Sequence, residues 1–139
     1  MAEAAAEVAF LSEGWVRAMA DAHGDLPRHD GVTVVVQHTV TGSPDGDATY
    51  WVAFDDGRTI DAGLEARPDA TVTVTTPYAL AAQVATGEVE PSVAFMQGRS
   101  KVAGDQAALL GWLAVTATPA YRQATERLAR RTRVTPLDA

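Results

Sequence analysis

The feature that most constrains the fold is an alternation of apolar and polar side chains with a period of two, which begins at Val32. Successive side chains of a strand point to opposite faces of a sheet, so this period predicts a strand with one buried face. His38 falls on the apolar side of the alternation, among valines. The inward face would consist of Val32, Val34, Val36, His38 and Val40, and the outward face of Thr33, Val35, Gln37 and Thr39.

Three further strands are predicted before residue 76. The segment T-G-S-P-D-G-D turns the chain into residues 49–54, and the tight-turn signal D-D-G leads into Arg58–Leu64. Residues 70–75 then alternate between valine and threonine. Because short turns connect these strands, we expect an antiparallel sheet with one covered face. The inward positions would be Tyr50, Val52, Phe54, Ile60, Ala62, Leu64, Val72 and Val74, with Trp51 on the opposite face.

Helical periodicity appears on both sides of these strands. Residues Glu3–Ala22 carry apolar side chains at spacings of three and four, which predicts an amphipathic opening helix with Phe10 at its rim or outside. After the fourth strand, Thr76 and Pro77 predict the N-cap and first position of a helix that ends at Gly87. The apolar face of the opening helix would consist of Val8, Leu11, Trp15, Ala18, Met19 and Ala22.

A short fifth strand is predicted at residues 99–103, after which Asp105 and Thr118 are placed to cap two more helices. We therefore expect one α+β domain over residues 1–139, with a flexible tail at 132–139. Its five-stranded, mainly antiparallel sheet would have four to five helices over one face. The apolar stripes of the last two helices would be Leu109, Trp112, Leu113 and Thr116, then Tyr121, Thr125 and Leu128.

Composition excludes several classes of function. With 18 acidic and 11 basic side chains the net charge is −7, which argues against a nucleic-acid partner. There is no cysteine, and three scattered histidines are too few for a metal site, so neither a metal nor a cofactor is expected. The N-terminal segment lacks the basic region of a secretory signal, and no apolar run approaches the roughly 20 residues of a membrane span. We expect a cytoplasmic protein without an integral membrane segment.

Few residues indicate catalysis. The sequence has no Gly-rich phosphate loop, no H-E-x-x-H motif and no G-x-S-x-G motif. His38 and Tyr50, on the predicted inward face, are the polar residues best placed to meet a ligand or exchange a proton with it. From periodicity alone, a filled core in which His38 bonds a neighbouring backbone group is a simpler interpretation than a hollow one.

Two segments, in their order along the chain, resemble those of a known family. Residues 68–75 read P-D-A-T-V-T-V-T, and residues 86–105 read T-G-E-V-E-P-S-V-A-F-M-Q-G-R-S-K-V-A-G-D. Together with the tryptophan-bearing strand that ends in D-D-G, they are similar to the sterol carrier protein 2 (SCP2-like) lipid-binding family over about residues 30–117. The resemblance implies an apolar tunnel, enclosed by sheet and helices, that holds a fatty acid, a fatty acyl-CoA, a sterol or a similar lipid.

The implied function is binding and transfer of a hydrophobic ligand without catalysis. Gln97, which follows Phe95 and Met96 of the apolar interior, would hold either the turn at Gly98 or the polar end of the ligand. The ligand-binding residues would be Val34, Val36, Val52, Val72, Val74, Leu80, Val84, Phe95, Met96, Gln97, Leu109, Trp112 and Leu113, with His38 and Tyr50 as possible polar contacts.

Two alternatives to a carrier stay open. One is a small enzyme or accessory protein that acts on a hydrophobic biosynthetic intermediate, with His38 or Tyr50 as proton donor or acceptor. The other is an interaction module whose apolar surface binds a pathway enzyme or a second copy of the chain.

Overall fold

The computed structural model describes residues 7–135 of the chain, and the predicted α+β class is confirmed. The strands in that range are β1 (Val8–Ala9), β2 (Val34–Thr41), β3 (Ala48–Asp55), β4 (Arg58–Leu64), β5 (Val72–Pro77), β6 (Lys101–Gly104) and β7 (Thr132–Arg133). The helices are α1 (Glu13–His23), α2 (Tyr78–Ala85), α3 (Pro91–Met96), α4 (Gln106–Thr116) and α5 (Pro119–Ala129).

Five of the strands form one sheet in the order β4-β3-β2-β5-β6. Neighbouring strands are antiparallel except for β2 and β5, which are parallel. The prediction of a mainly antiparallel five-stranded sheet is confirmed, but the expectation that β5 continues the antiparallel series after β4 is wrong. Because β5 pairs with β2 instead, His38 lies between Tyr50 of β3 and Val74 of β5.

The connection from β4 to β5, residues 65–71, crosses the outward face of the sheet. Its Arg67 backbone N–H donates a hydrogen bond to Oε1 of Gln37 at 2.8 Å. The Arg67 guanidinium lies 4.4 Å from the ring centroid of Trp51, where a cation is attracted to the indole face. Gln37 and Trp51 thus lie on the outward face, as the alternation predicts, and they hold the crossing segment in place.

A β-bulge between Ala53 and Phe54 changes the register of β4. Phe54 pairs with Thr59 and Ala53 with Asp61, which leaves Ile60 as the extra residue. The prediction that Ile60 faces inward is therefore wrong, since its side chain is 65% exposed while Thr59 is buried.

The opening helix is shorter than predicted. α1 begins at Glu13, because the Ser12 side chain accepts an N-cap hydrogen bond from the backbone N–H of Trp15 at 3.1 Å. The predicted helical residues 3–6 lie outside the described residues. Phe10 precedes α1 and is half-buried at the edge of the core, which agrees with the predicted rim position, and its ring centroid lies 4.8 Å from that of Trp15. The part of the predicted apolar face that lies within α1 is buried or half-buried: Trp15, Ala18, Met19 and Ala22.

The two ends of the described chain meet in a second small sheet. Val8 of β1 pairs in parallel with Thr132 of β7, and the Tyr78 hydroxyl donates to the carbonyl oxygen of Thr135 at 2.6 Å. These contacts place residues 132–135 in ordered structure, where the sequence led us to expect a flexible tail. Residues 136–139 of that tail lie outside the described residues.

The cap signals predict two later helices correctly. The Asp105 side chain accepts from the Ala108 backbone N–H at 2.8 Å and caps α4. The Thr118 hydroxyl accepts from the Tyr121 backbone N–H at 3.2 Å and caps α5. Both helices therefore begin where a polar side chain satisfies their first free N–H groups.

Two further helices differ from the prediction. Thr76 does not cap α2, because β5 extends through Pro77 and the helix begins at Tyr78 without a side-chain cap. The short helix α3 was not predicted as a separate element, although Pro91 at its first turn is a signal for a helix start. Among the described residues, no helix is long and apolar enough to span a membrane.

Candidate functional site

A cavity of about 120 Å³ lies between the inward face of the sheet and the helices. Strands β2, β3, β5 and β6 form its floor, and side chains from all five helices close it. It is therefore central to the fold and is assembled from segments far apart in the sequence. Its apolar wall includes Met19, Val40, Val52, Val74, Phe95 and Trp112.

Two histidines and two tyrosines also line this cavity, and we call His23, His38, Tyr50 and Tyr121 the aromatic tetrad. The rings of His38 and Tyr50 stack with centroids 4.6 Å apart and planes inclined by 13°. Those of His23 and Tyr121 stack with centroids 4.4 Å apart and planes inclined by 11°. The tetrad is brought together by α1, β2, β3 and α5, so each stacked pair joins two elements.

Burial keeps all four tetrad side chains uncharged near neutral pH. Desolvation lowers the pKa of His38 to about 4, and desolvation together with the charge of Arg127 lowers the pKa of His23 to about 4. Desolvation raises the pKa of Tyr121 to about 12. The pKa of Tyr50 is raised further still, by burial and then by the nearby Tyr121 phenol. The tetrad therefore offers hydrogen-bonding groups without net charge.

The exposed residues of the cavity wall mark its opening, which we call the mouth, between the end of α2 and α5. Gly87, Arg122 and Glu126 are exposed there. The Arg122 guanidinium pairs with the Glu90 carboxylate at 3.2 Å, which links α5 to the segment that precedes α3. The mouth is thus polar and charged, whereas the deeply buried part of the wall includes Trp15 and Phe54, each 3% exposed.

The structure brings about half of the predicted site residues to this cavity. His38, Tyr50, Val52, Val74, Val84, Phe95 and Trp112 line it. Another group is buried in the protein outside the cavity wall, and it consists of Val34, Val36, Val72, Leu80, Leu109 and Leu113. These residues lie on the predicted buried faces of their strands and helices. Those faces extend beyond the part that lines the cavity.

Met96 and Gln97 are placed differently from the prediction. The Met96 side chain is 81% exposed, so the expectation that it faces the apolar interior is wrong. Gln97 is also exposed, and its Oε1 accepts from Nη1 of Arg99 at 3.3 Å. The reason is the unpredicted helix α3, which turns Phe95 towards the cavity and the next two residues away from it.

Sequence reasoning missed the contribution of α1 and α5 to the site. Trp15, Met19, His23, Tyr121 and Leu128 all line the cavity. Four of these residues were on predicted apolar helix faces, so the sequence did indicate that they would be buried. That signal could not show which strand residues each helix would meet. His23 lies one residue beyond the predicted helix Glu3–Ala22, but it is the last residue of α1.

No metal centre is formed by the described part of the chain, because no three His, Cys, Asp or Glu side chains there are grouped to hold an ion. The aromatic tetrad contains no carboxylate or thiol, and its two imidazoles belong to separate stacked pairs. What the site can do chemically is bind an apolar group and donate or accept uncharged hydrogen bonds.

Comparison with known sequences gives one family match. The profile of the SCP-2 sterol transfer family matches residues 17–112 of the chain. No curated protein sequence matches it significantly.

Several solved structures share the fold. A crystal structure of sterol carrier protein 2 is 17% identical with a TM-score of 0.66, covering 84% of this chain and 97% of the other. A solution structure of a conserved hypothetical protein from Thermus thermophilus, possibly a sterol carrier protein, is 16% identical with a TM-score of 0.62. It covers 91% of this chain and 96% of the other. A solution structure of palmitated SCP2L2 from Aedes aegypti is 17% identical with a TM-score of 0.58, covering 78% and 92%.

Proposed function

The chain belongs to the SCP-2 sterol transfer family, and we propose that it binds a hydrophobic ligand in the cavity and transfers it without changing it chemically. The observation that carries this proposal is the central cavity, whose wall is mainly apolar and carries its charged residues at the mouth. A filled core would leave no such space, because protein interiors pack as densely as organic crystals. The Aedes aegypti relative is palmitated in its structure, and we propose the same broad class of ligand here.

The energetics support binding by burial alone. Removing each methylene of a ligand from water contributes about 0.8 kcal/mol. A chain of about a dozen methylenes would contribute near 10 kcal/mol, against association costs of about 4–15 kcal/mol. Moderate affinity and broad ligand choice follow, as suits a protein that must also release its ligand.

The cavity must widen to hold a whole lipid. Its volume of about 120 Å³ is below the range of about 300–1,000 Å³ that ligand pockets usually occupy. It is comparable with a cavity of about 150 Å³ that admits benzene. We propose that the segment with Gly87 and Glu90, between α2 and α3, moves outward when a ligand enters. This segment borders the mouth and is tied to α5 there through the Glu90–Arg122 ion pair.

The first experiment purifies the protein under native conditions, extracts it and identifies any bound lipid by mass spectrometry. A fluorescent fatty acid is then titrated into the delipidated protein. The added ligand is recovered afterwards, and its molecular mass is determined by mass spectrometry. We expect saturable binding and recovery of the ligand with its mass unchanged. Absence of both a co-purified lipid and fatty-acid binding would refute the carrier, and a changed mass would point to an enzyme instead.

A cavity-filling variant tests where the ligand binds. Ala85 lines the cavity and is half-buried, so Ala85→Phe would occupy part of the space. Ala114 is exposed on α4 and lies outside the cavity wall, which makes Ala114→Phe a matched control. We expect the first variant to weaken fatty-acid binding at least tenfold, about 1.4 kcal/mol, and the second to bind like the parent. Equal affinities would place the ligand elsewhere.

A further inference from the structure

Several polar atoms in the cavity wall have no hydrogen-bond partner in the protein. Within residues 7–135, the hydroxyl groups of Tyr50 and Tyr121 and the ring nitrogens of His38 take part in no hydrogen bond, although these side chains line the cavity. Nε1 of Trp15 and Nε2 of His23 are also buried without a partner, as is Oγ1 of Thr59, which lies outside the cavity wall. Such groups are nearly always paired in native proteins, with protein, water or ligand. Their concentration at one cavity therefore points to a ligand with a polar group.

The packing of the tetrad fixes where these polar groups lie. Each imidazole is held by a stacked phenol, and the edge of Trp112 also contacts the His38 ring, with centroids 5.7 Å apart. The edge of Trp15 packs on Tyr50 in the same way, at 5.2 Å. Tyr50 is 9% exposed and His23 is 3% exposed, whereas His38 and Tyr121 are half-buried. His38, Tyr50 and Tyr121 all line the cavity, so their unpaired atoms are available to a group inside it.

The charges in the wall indicate what kind of group that is. The tetrad is uncharged near neutral pH because of its burial. The charged residues of the wall, Glu90, Arg122 and Glu126, all lie at the mouth. Apart from Arg122 at the mouth, the wall has no cation that could pair with a carboxylate or phosphate buried beside the tetrad. An unpaired buried anion is strongly unfavourable. A hydroxyl group, which both donates and accepts, matches imidazole and phenol groups that do the same.

We propose that His38, Tyr50 and Tyr121 form a polar subsite inside the cavity that receives an uncharged hydroxyl group of an otherwise apolar ligand. This subsite rests on the proposed carrier function and makes it more specific. The preferred cargo is an alcohol or phenol whose hydroxyl group enters the cavity. An anionic lipid would bind with its charged group at the mouth and gain nothing from the subsite.

The test compares ligands that differ in one polar group. 1-Dodecanol and 1-chlorododecane have similar size, and each would displace a fluorescent fatty acid from the delipidated protein. The measured quantity is the ratio of the two dissociation constants in the parent and in Tyr50→Phe/Tyr121→Phe. We expect the preference for dodecanol to fall about tenfold in the double variant and about threefold in each single variant, in line with net hydrogen-bond strengths.

Tyr78→Phe is the matched control. It also removes one buried tyrosine hydroxyl, but Tyr78 lies outside the cavity wall and bonds to the backbone of Thr135. We expect this variant to keep the parent preference for dodecanol.

A measurement on the unmutated chain covers the case in which the tyrosine variants do not fold. We expect dodecanol, and not chlorododecane, to shift the side-chain ¹⁵N NMR signals of His38. Binding of both ligands with no change of preference in the variants, or with no selective His38 shift, overturns the subsite and leaves the carrier function standing. Failure of every ligand to bind overturns the carrier function itself.

Discussion

His38 of β2 and Tyr50 of β3 are direct partners across the sheet, and their rings stack at 4.6 Å inside the cavity. The stack occupies the one inward position of β2 that is not a valine in the predicted pattern. A histidine at such a position destabilises a filled core, because its ring nitrogen atoms are buried and need hydrogen-bond partners. Its presence next to a tyrosine is better explained by a cavity with a ligand than by packing.

The first prediction concerns the dependence of stability on pH. The folded-state pKa values of His23 and His38 are lowered to about 4, whereas the unfolded value is about 6.5. Between these values the unfolded chain binds more protons, so the free energy of unfolding rises with pH and is fully regained above about pH 6.5. We expect a loss of about 2 kcal/mol per histidine between pH 7 and pH 5.

Urea denaturation at the two pH values measures this loss, and His23→Phe/His38→Phe is the comparison. For His23 the neighbouring groups are Tyr121 and the charge of Arg127, and for His38 they are Tyr50 and Trp112. Burial raises the pKa of both phenols, so neither of them ionises between pH 5 and pH 7. The double variant should therefore lose much less stability on acidification, and an equal loss would mean that other groups cause it.

The second prediction concerns the mouth. Arg122→Ala removes the ion pair with Glu90 and should speed ligand release several-fold, because that pair links α5 to the segment before α3. The free energy of unfolding should change by less than about 1 kcal/mol, since both side chains are partly solvated. Stopped-flow displacement of a bound fluorescent fatty acid gives the release rate.

Arg17→Ala serves as its control. It removes a surface pair with Glu13 in α1, with N and O atoms 3.7 Å apart, and Arg17 is absent from the cavity wall. Release from this variant should match the parent. If Arg122→Ala and Arg17→Ala release ligand equally fast, the ion pair does not control the mouth.

The third prediction concerns Gly104, at the end of β6. Its φ is +124°, and a methyl group there would overlap the carbonyl oxygen of Thr71. That oxygen already accepts a hydrogen bond from the Asp105 backbone N–H at 3.1 Å. Gly104→Ala should lower the free energy of unfolding by at least about 2 kcal/mol, through backbone strain and overpacking.

Gly14→Ala is the corresponding control in α1. The nearest atom to a methyl group at that position would be 3.7 Å away, an ordinary contact. Because alanine favours a helix, this variant should be more stable than the parent by about 0.5–1 kcal/mol. Thermal or urea unfolding of both variants shows the difference in sign, and a stable Gly104→Ala protein would contradict the strained backbone.

The fourth prediction concerns the C-terminal segment. Deleting residues 132–139 removes β7, the Phe10 N–H to Arg133 carbonyl bond of 3.0 Å and the bond from Tyr78 to Thr135. We expect the free energy of unfolding to fall by about 2–4 kcal/mol, about 1 kcal/mol for each hydrogen bond plus the loss of packing around Val134. Tyr78→Phe removes only one of these bonds and should lose about 1 kcal/mol. A truncated chain as stable as the parent would instead support the flexible tail that was expected from the sequence.

The α+β class, most of the strand faces and the caps of α4 and α5 could be predicted from the sequence alone. These features depend on local physics: the pleat puts alternate side chains on one face, and a polar side chain satisfies the free N–H groups next to it. His38, Tyr50, Val52 and Val74 could therefore be assigned to one inward surface from periodicity alone. The family resemblance added the expectation of a hollow behind that surface.

How these faces meet could not be predicted from the sequence and became clear from the packing of the folded chain. The pairing of β5 with β2, the bulge that turns Ile60 outward and the helix that exposes Met96 and Gln97 each depend on contacts between distant segments. The aromatic tetrad depends on them too, because α1 and α5 supply His23 and Tyr121 from opposite ends of the chain. Periodicity shows which side of an element is buried, but the partner of that side is chosen by packing among all the elements at once.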